Sequence, residues 1–312
     1  MVTSIYQLSL VFLSLVILIV SADQLVSQAD AIAKKYKFSQ VLVGLTIVAF
    51  GTSAPELMVS ISAAYFETPP ASDAILGNVI GSNIANLLLV IGAAGLLYKV
   101  NFDTIDQKTN LYLFIVTAYL VLILLIGQNI NWIHSIILLI LLIFFIHHLM
   151  NFEVSSNKQT EGNPNINYIK LILSIIGFFI GGKLFLTESI EFFSRIGIEH
   201  TVIGLTILAL GTSLPELITL IVSTLKKRSA IGIGNIIGSN IMNILFVLLP
   251  SIAIVKARGF NFSTLNVGTS DISLLAASTS IIIIIILMNR PVNKMLSIVF
   301  VLSYLIYIYR LF

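Results

Sequence analysis

A glutamate placed one residue after a proline, in the middle of an apolar helix pattern, is hard to accommodate in any fold, and this chain carries the arrangement twice. The first copy runs from Gly44 to Ser60, GLTIVAFGTSAPELMVS, and the second from Gly204 to Leu220, GLTILALGTSLPELITL. Each is followed by a second shared run: GNVIGSNIANLLLV from Gly77 to Val90, and GNIIGSNIMNILFV from Gly234 to Val247. The offset is 160 residues for the first pair and 157 for the second, so the slip falls in the loops between them. The chain is an internal duplication, and each half must bury the same polar interruption.

Composition identifies the medium. The chain is 57% hydrophobic and only 10% charged, whereas soluble domains carry about 25% charged residues. Its mean hydropathy is +1.04, and apolar runs of about 20 residues, the span of a bilayer core, recur along its length. These features predict an all-α polytopic membrane protein. The net charge of +3 then reads as positive loops on the cytoplasmic face, with no nucleic-acid partner implied. The absence of cysteine excludes disulfides, thiolate chemistry and Cys-based metal sites. The N-terminal MVTSIYQ has no Lys or Arg before the first apolar run, so that run reads as a retained helix and not a cleaved signal.

Ten spans are expected: about Tyr6–Val26, Gln40–Phe66, Ala74–Tyr98, Asn110–Ile126 and Trp132–Met150, then Tyr168–Phe193, Val202–Leu225, Ile231–Val255, Ile272–Met288 and Val292–Tyr309. The polar stretch 153–167, EVSSNKQTEGNPNIN, separates a first repeat, 1–152, from a second, 168–312. Five spans per half is odd, so homologous halves insert with opposite orientation, as in many secondary transporters. With both termini outside, twelve Lys and Arg residues, among them Lys34, Lys35, Lys226, Lys227 and Arg228, fall on the cytoplasmic side. Four fall outside (Arg195, Lys256, Arg258, Arg310), and Lys183 lies inside a span, in keeping with the positive-inside rule.

Glu56 and Glu216 carry the chemistry. A carboxylate near the bilayer centre costs roughly 3 kcal/mol or more and is tolerated when it faces the bundle interior and meets a cation or proton. Pro55 and Pro215 remove a donor and free carbonyls around Gly51 and Gly211, which lets each helix kink. Such backbone is allowed at membrane depth only where it is buried in protein or lines a cavity. Thr52 and Ser53 share a helical face with Glu56, as Thr212 and Ser213 do with Glu216. Hydroxyl, carbonyl and carboxylate oxygens suit Na+ and Ca2+, the latter taking about 6–8 of them. Asn78, Ser82 and Asn86 form a further polar stripe at fourfold spacing, matched by Asn235, Ser239 and Asn243. Gly77 with Gly81, and Gly234 with Gly238, are GxxxG pairs that permit close helix contact. Taken singly, these features also read as proline kinks and helix–helix glue; their retention in both copies favours a site. His134, His147, His148 and His200 are not repeated and read as interfacial, and Trp132 as an interfacial anchor. Asp23 and Lys183 occupy equivalent positions, and the Lys226-Lys227-Arg228 cluster reads as a topology signal.

The paired runs GTSxPE and GNxxGSNxxN resemble the two alpha-repeats of the sodium/calcium exchanger family, within the cation/Ca2+ antiporter superfamily, of prokaryotic type. The resemblance covers the whole chain. It implies ten helices, a central cluster of cation sites, and alternating access by sliding of the first and sixth helices. By motif position it places carboxylate ligands on Glu56 and Glu216 and hydroxyl ligands on Thr52, Ser53, Ser82, Thr212, Ser213 and Ser239. Carbonyl ligands fall on Ala49 and Ala209, and amide positions on Asn86 and Asn243. Family members that also move K+ have Asp where Asn243 stands, so a K+-independent Na+/Ca2+ antiporter is expected. Two carboxylates are neutralised by one Ca2+, which several Na+ replace; protons compete for the same oxygens. No cofactor and no protein partner are implied beyond the transported ions and the bilayer. An H+-driven exchanger of Ca2+ or another divalent cation is the alternative, although Gly81 and Gly238 stand where that branch carries a Glu. A cation channel is less favoured, and without a paired nucleophile and base an enzyme is not expected. The compact build suggests a prokaryotic plasma membrane.

Overall fold

The computed structural model describes residues 2–126, 129–151, 165–195, 200–264 and 267–310, with the side chains of 2–5 and 200–210 also outside the description. The expected linker, 153–167, therefore lies mostly outside the described residues. Helix dominates what is described. In chain order the helical stretches are α1 (Val2–Tyr36), α2 (Gln40–Thr52 and Ala54–Tyr65), α3 (Ser72–Leu97), α4 (Gln107–Ile126) and α5 (Trp132–Met150). The remainder are α6 (Tyr168–Arg195), α7 (His200–Leu225), α8 (Ser229–Ala257), α9 (Thr269–Leu287) and α10 (Lys294–Arg310). Among the described residues seven helices are long and apolar enough to cross a membrane, or eight when the bent pair in α2 counts as one span. The chain is a multi-pass membrane protein.

Local chemistry sets the helix ends. Ser39 caps α2 by accepting from the Leu42 amide at 3.1 Å, and Asn131 caps α5 by accepting from the amides of Ile133 and His134; each satisfies donors that a helix start leaves open. Lys37, Lys227 and Asn289, just past α1, α7 and α9, take the left-handed conformation with φ of 58°, 58° and 50°, a common way to stop a helix. α1 runs ten residues beyond its expected end at Val26, because the polar stretch that follows finds partners of its own. Asp30 binds Lys34 at 2.9 Å, Arg228 at 2.9 Å and the Gln40 amide at 2.9 Å. Lys226 binds Asp23 at 2.6 Å and Ser27 at 2.6 Å. The partner of Asp23 is thus Lys226 and not Lys183, which is exposed.

The core is graded. α3 and α8 are mostly buried whereas α5 and α6 are mostly not, so α3 and α8 form the centre and α5 and α6 face outward. Phe12, Ile133 and Ile169 are exposed. In water such a surface would drive association, and in a bilayer it faces lipid. One apolar cluster joins α2–α5 to α7–α10, with Leu45, Ile84, Ile237 and Leu245 fully enclosed or nearly so. A second, smaller cluster lies where α1 meets α6, around Leu18, Ala22, Leu25 and Phe178, and reaches Val43 and Val48 of α2 and Ile231 of α8. α1 and α6 run antiparallel: the Tyr36 hydroxyl at the end of α1 lies 3.1 Å from that of Tyr168 at the start of α6. The two halves also interlock through short strands. β1 (Asn129–Ile130) pairs antiparallel with β2 (Phe262–Ser263), and Val100 bridges Val292.

Candidate functional site

The two Gly-Thr-Ser-x-Pro-Glu segments meet at the centre of the molecule, each facing the second run of the opposite half. In α2 the helix breaks at Ser53 and its two arms meet at 45°. A π-helical turn, Gly44–Val48, precedes the break, and Pro55 sits in the first turn of the second arm, where its missing N–H would have had no partner anyway. α7 behaves differently: Pro215 lies inside one continuous helix, with no break like that at Ser53. Further π-turns occur at Ala85–Val90 in α3 and Asn243–Val247 in α8. Such turns displace the backbone ladder and occur often at functional sites.

The side chains form a ring of oxygens from four helices. Thr52 of α2 donates to Asn235 Oδ1 of α8 at 2.9 Å and lies 3.3 Å from the Ser239 hydroxyl. The mirrored pair, Ser82 of α3 and Thr212 of α7, is separated by 3.4 Å. Ser239 donates to Glu216 Oε1 at 3.4 Å, and the Ser82 hydroxyl lies beside Glu56. Asn78 donates to the Glu56 carbonyl and to Ser60 Oγ, both at 2.9 Å. Glu56 and Glu216 are each 0% exposed.

Many of these oxygens have no protein donor. Both carboxylate oxygens of Glu56, Oε2 of Glu216, the hydroxyls of Ser53 and Ser213, the whole Asn86 amide and Asn243 Oδ1 are enclosed without a hydrogen-bond partner. A buried carboxylate with no donor is among the costliest groups a protein can hold. A hard cation removes that cost by supplying charge and accepting several oxygens at once. Among the described residues no group of three or more His, Asp or Glu side chains gathers anywhere, so the arrangement is two carboxylates supplemented by neutral oxygens.

Thr52, Ser53, Glu56, Ser82, Asn86, Thr212, Ser213, Glu216, Ser239 and Asn243 are all buried; the contacts above join Thr52 to Ser239, Ser239 to Glu216 and Ser82 to Thr212, and Ala49 is buried beside Thr52. Ala209 lies in α7 but outside the residues whose side chains are described, as does His200. His134, His147 and His148 bond to Tyr119, Asn151 and Thr109, away from the ring. Asn83 and Asn240, not singled out by the sequence reading, are also buried here, with Asn83 joined to Asn243. The available signal was their retention in both copies of Gly-Ser-Asn.

Known proteins resemble this chain along both halves. The family model for the sodium/calcium exchanger protein matches residues 6–150 and 167–312. The putative antiporter CaxA of Alkalimonas amylolytica is 32% identical over 97% of both chains. The sodium/calcium exchanger MaX1 of Methanosarcina acetivorans is 31% identical over 77% of this chain and 80% of its own. A solved structure of the sodium-calcium exchanger NCX_Mj, soaked with Na+ and Sr2+, superposes with a TM-score of 0.79 at 25% identity and covers 98% of each chain. A family model that spans both halves, and a relative 32% identical over 97% of both chains, place this chain in the sodium/calcium exchanger family.

Proposed function

We propose that this chain is a secondary active antiporter that exchanges Na+ for Ca2+ across a membrane by alternating access, without K+. The observation that carries the reading is the pair of fully buried carboxylates, Glu56 and Glu216, whose free oxygens share one ring of hydroxyls and amides drawn from both halves. Their formal charge matches one Ca2+ or two Na+, and mutual exclusion between the two loads couples the flows. Thr52, Ser53, Ser82, Asn86, Thr212, Ser213, Ser239 and Asn243 serve as neutral ligands, with the carbonyls of Ala49 and Ala209. The neutral Asn at both 86 and 243 supports independence from K+. Transport needs no cofactor and no covalent chemistry in this reading.

In this proposal ten transmembrane helices form two inverted five-helix repeats, 1–152 and 168–312, joined by a cytoplasmic linker at 153–167. The antiparallel run of α1 and α6 supports the inversion. Both termini lie outside a prokaryotic plasma membrane. α1 packs more extensively on α6 than on any other described helix, which suits a pair that slides as one unit past the other helices.

Uptake of radioactive Ca2+ into proteoliposomes tests the proposal. Vesicles loaded with Na+ are expected to accumulate Ca2+, with no requirement for K+. Uptake driven only by a pH gradient would transfer the protein to proton-coupled exchange, and single-channel currents uncoupled from a second ion would make it a channel.

A further inference from the structure

One of the two pocket amides is held in a single orientation by a relay that ends on the backbone. Asn83 of α3 donates from Nδ2 to the Asn240 carbonyl of α8 at 3.1 Å, and its Oδ1 accepts from Asn243 Nδ2 at 3.0 Å. A backbone carbonyl only accepts, so Asn83 must turn its NH2 toward Asn240 and its oxygen toward Asn243. Asn243 must then offer its own NH2, which leaves Asn243 Oδ1 over. That oxygen is enclosed and has no protein donor. It sits one helical turn past Ser239, whose hydroxyl faces Glu216 Oε1 at 3.4 Å. Asn83, Asn240 and Asn243 are all 1% exposed or less, so solvent does not compete for these bonds and each is strengthened by the low local dielectric.

The mirrored positions lack the relay. Neither atom of the Asn86 amide has a partner, and Asn240, the counterpart of Asn83, donates to Ile236 O within its own helix at 2.8 Å. One pocket amide is therefore fixed and the other is free to turn, although the two halves have the same residues at these places.

We propose that Asn83 is a positioning residue that sets the balance between Na+ and Ca2+ by fixing Asn243 with its oxygen toward the carboxylate pocket. This rests on the reading of Asn243 as a ligand given under Proposed function. The two carboxylates suffice for one Ca2+ or two Na+, whereas any further Na+ depends on neutral oxygens alone. A turned Asn243 would present N–H groups to that ion and repel it. The relay also selects Asn over Asp at position 243, because a carboxylate has no proton to offer Asn83 Oδ1.

Half-saturating Na+ and Ca2+ concentrations, measured in proteoliposomes, test the proposal with Asn83→Ala, Asn83→Leu, Asn243→Ala and the Asn83→Ala/Asn243→Ala double variant. Each Asn83 variant is expected to raise half-saturating Na+ relative to Ca2+ by about five-fold, with the maximal rate within about two-fold of wild type. Asn243→Ala is expected to do at least as much, and the double variant to be no worse than Asn243→Ala alone, because Asn83 acts only through Asn243. Asn83→Leu preserves side-chain volume, so an effect shared with Asn83→Ala separates positioning from lost packing. An unchanged ratio in either folded Asn83 variant, or effects that multiply in the double variant, would overturn the proposal. Unchanged affinities in Asn243→Ala would instead remove the ligand assignment beneath it.

Discussion

α2 and α7 carry the same Gly-Thr-Ser-x-Pro-Glu segment, yet α2 bends by 45° at Ser53 and α7 passes through Pro215 without a break. The helices that follow differ in the same sense. On α8, a Cβ at Gly234 would stand 2.5 Å from the Val41 carbonyl, and one at Gly238 would stand 2.7 Å from the Leu45 carbonyl, so α8 lies tight against α2. On α3, nothing lies within 4 Å of a Cβ at Gly77 or Gly81. Near-identical sequence thus occupies two backbone shapes and two packing states within one molecule. In the proposed cycle, each half displays the conformation that the other adopts when access changes sides.

The glycines give the sharpest way to break this comparison. Gly234→Ala and Gly238→Ala push a methyl into the backbone of α2, which cannot yield without parting from α8, and are expected to cost about 2–3 kcal/mol. Gly77→Ala and Gly81→Ala are expected to stay within about 0.5 kcal/mol, as substitutions in open space do. Unfolding midpoints in detergent measure the difference, and equal losses in both pairs would erase the asymmetry. If α3 closes in the other state as α8 does here, Gly81→Ala keeps its stability but slows turnover.

The prolines come next. A proline inside a continuous helix costs up to about 3 kcal/mol relative to alanine, so Pro215→Ala is expected to stabilise this state by about 2 kcal/mol and to slow exchange. Pro55→Ala is expected to change stability by less than about 0.5 kcal/mol, because first-turn prolines displace no helix bond. Matching shifts in the two variants would mean that the shapes of α2 and α7 do not depend on where the proline sits.

The smallest effect concerns the ties between α1 and the turn after α7. Asp30, whose side chain is 9% exposed, binds Lys34, Arg228 and Gln40, and Asp30→Asn is expected to cost about 1 kcal/mol. Asp23 is 44% exposed in its pair with Lys226, and Asp23→Asn is expected to fall below about 0.5 kcal/mol. A larger loss for Asp23 than for Asp30 would show that burial does not rank these pairs.

The sequence made the carboxylates, hydroxyls and helix positions legible because a repeat fixes which residues share a face. Trp132–Met150 was placed residue for residue, since a polar loop bounds it on both sides. Periodicity says nothing of which helix lies opposite, so the relay from Asn83 to Asn243 could not be read, although Asn83 and Asn240 were repeated in plain view. Nor could the unbroken α7: local sequence is alike at both prolines, yet only α2 breaks. Lys226 and Arg228 were read only as a topology signal, because their acidic partners lie about 200 residues away in sequence and are brought near by the fold alone.

The central claim is that Glu56 and Glu216 serve one shared cation pocket. Equilibrium binding of radioactive Ca2+ to the purified protein, with Na+ titrated against it, tests this most directly in wild type, Glu56→Gln and Glu216→Gln. The account predicts saturable Ca2+ binding that Na+ displaces with sigmoidal dependence, and a loss of about 100-fold or more in affinity from either substitution alone. Wild-type Ca2+ affinity in either folded variant would contradict it.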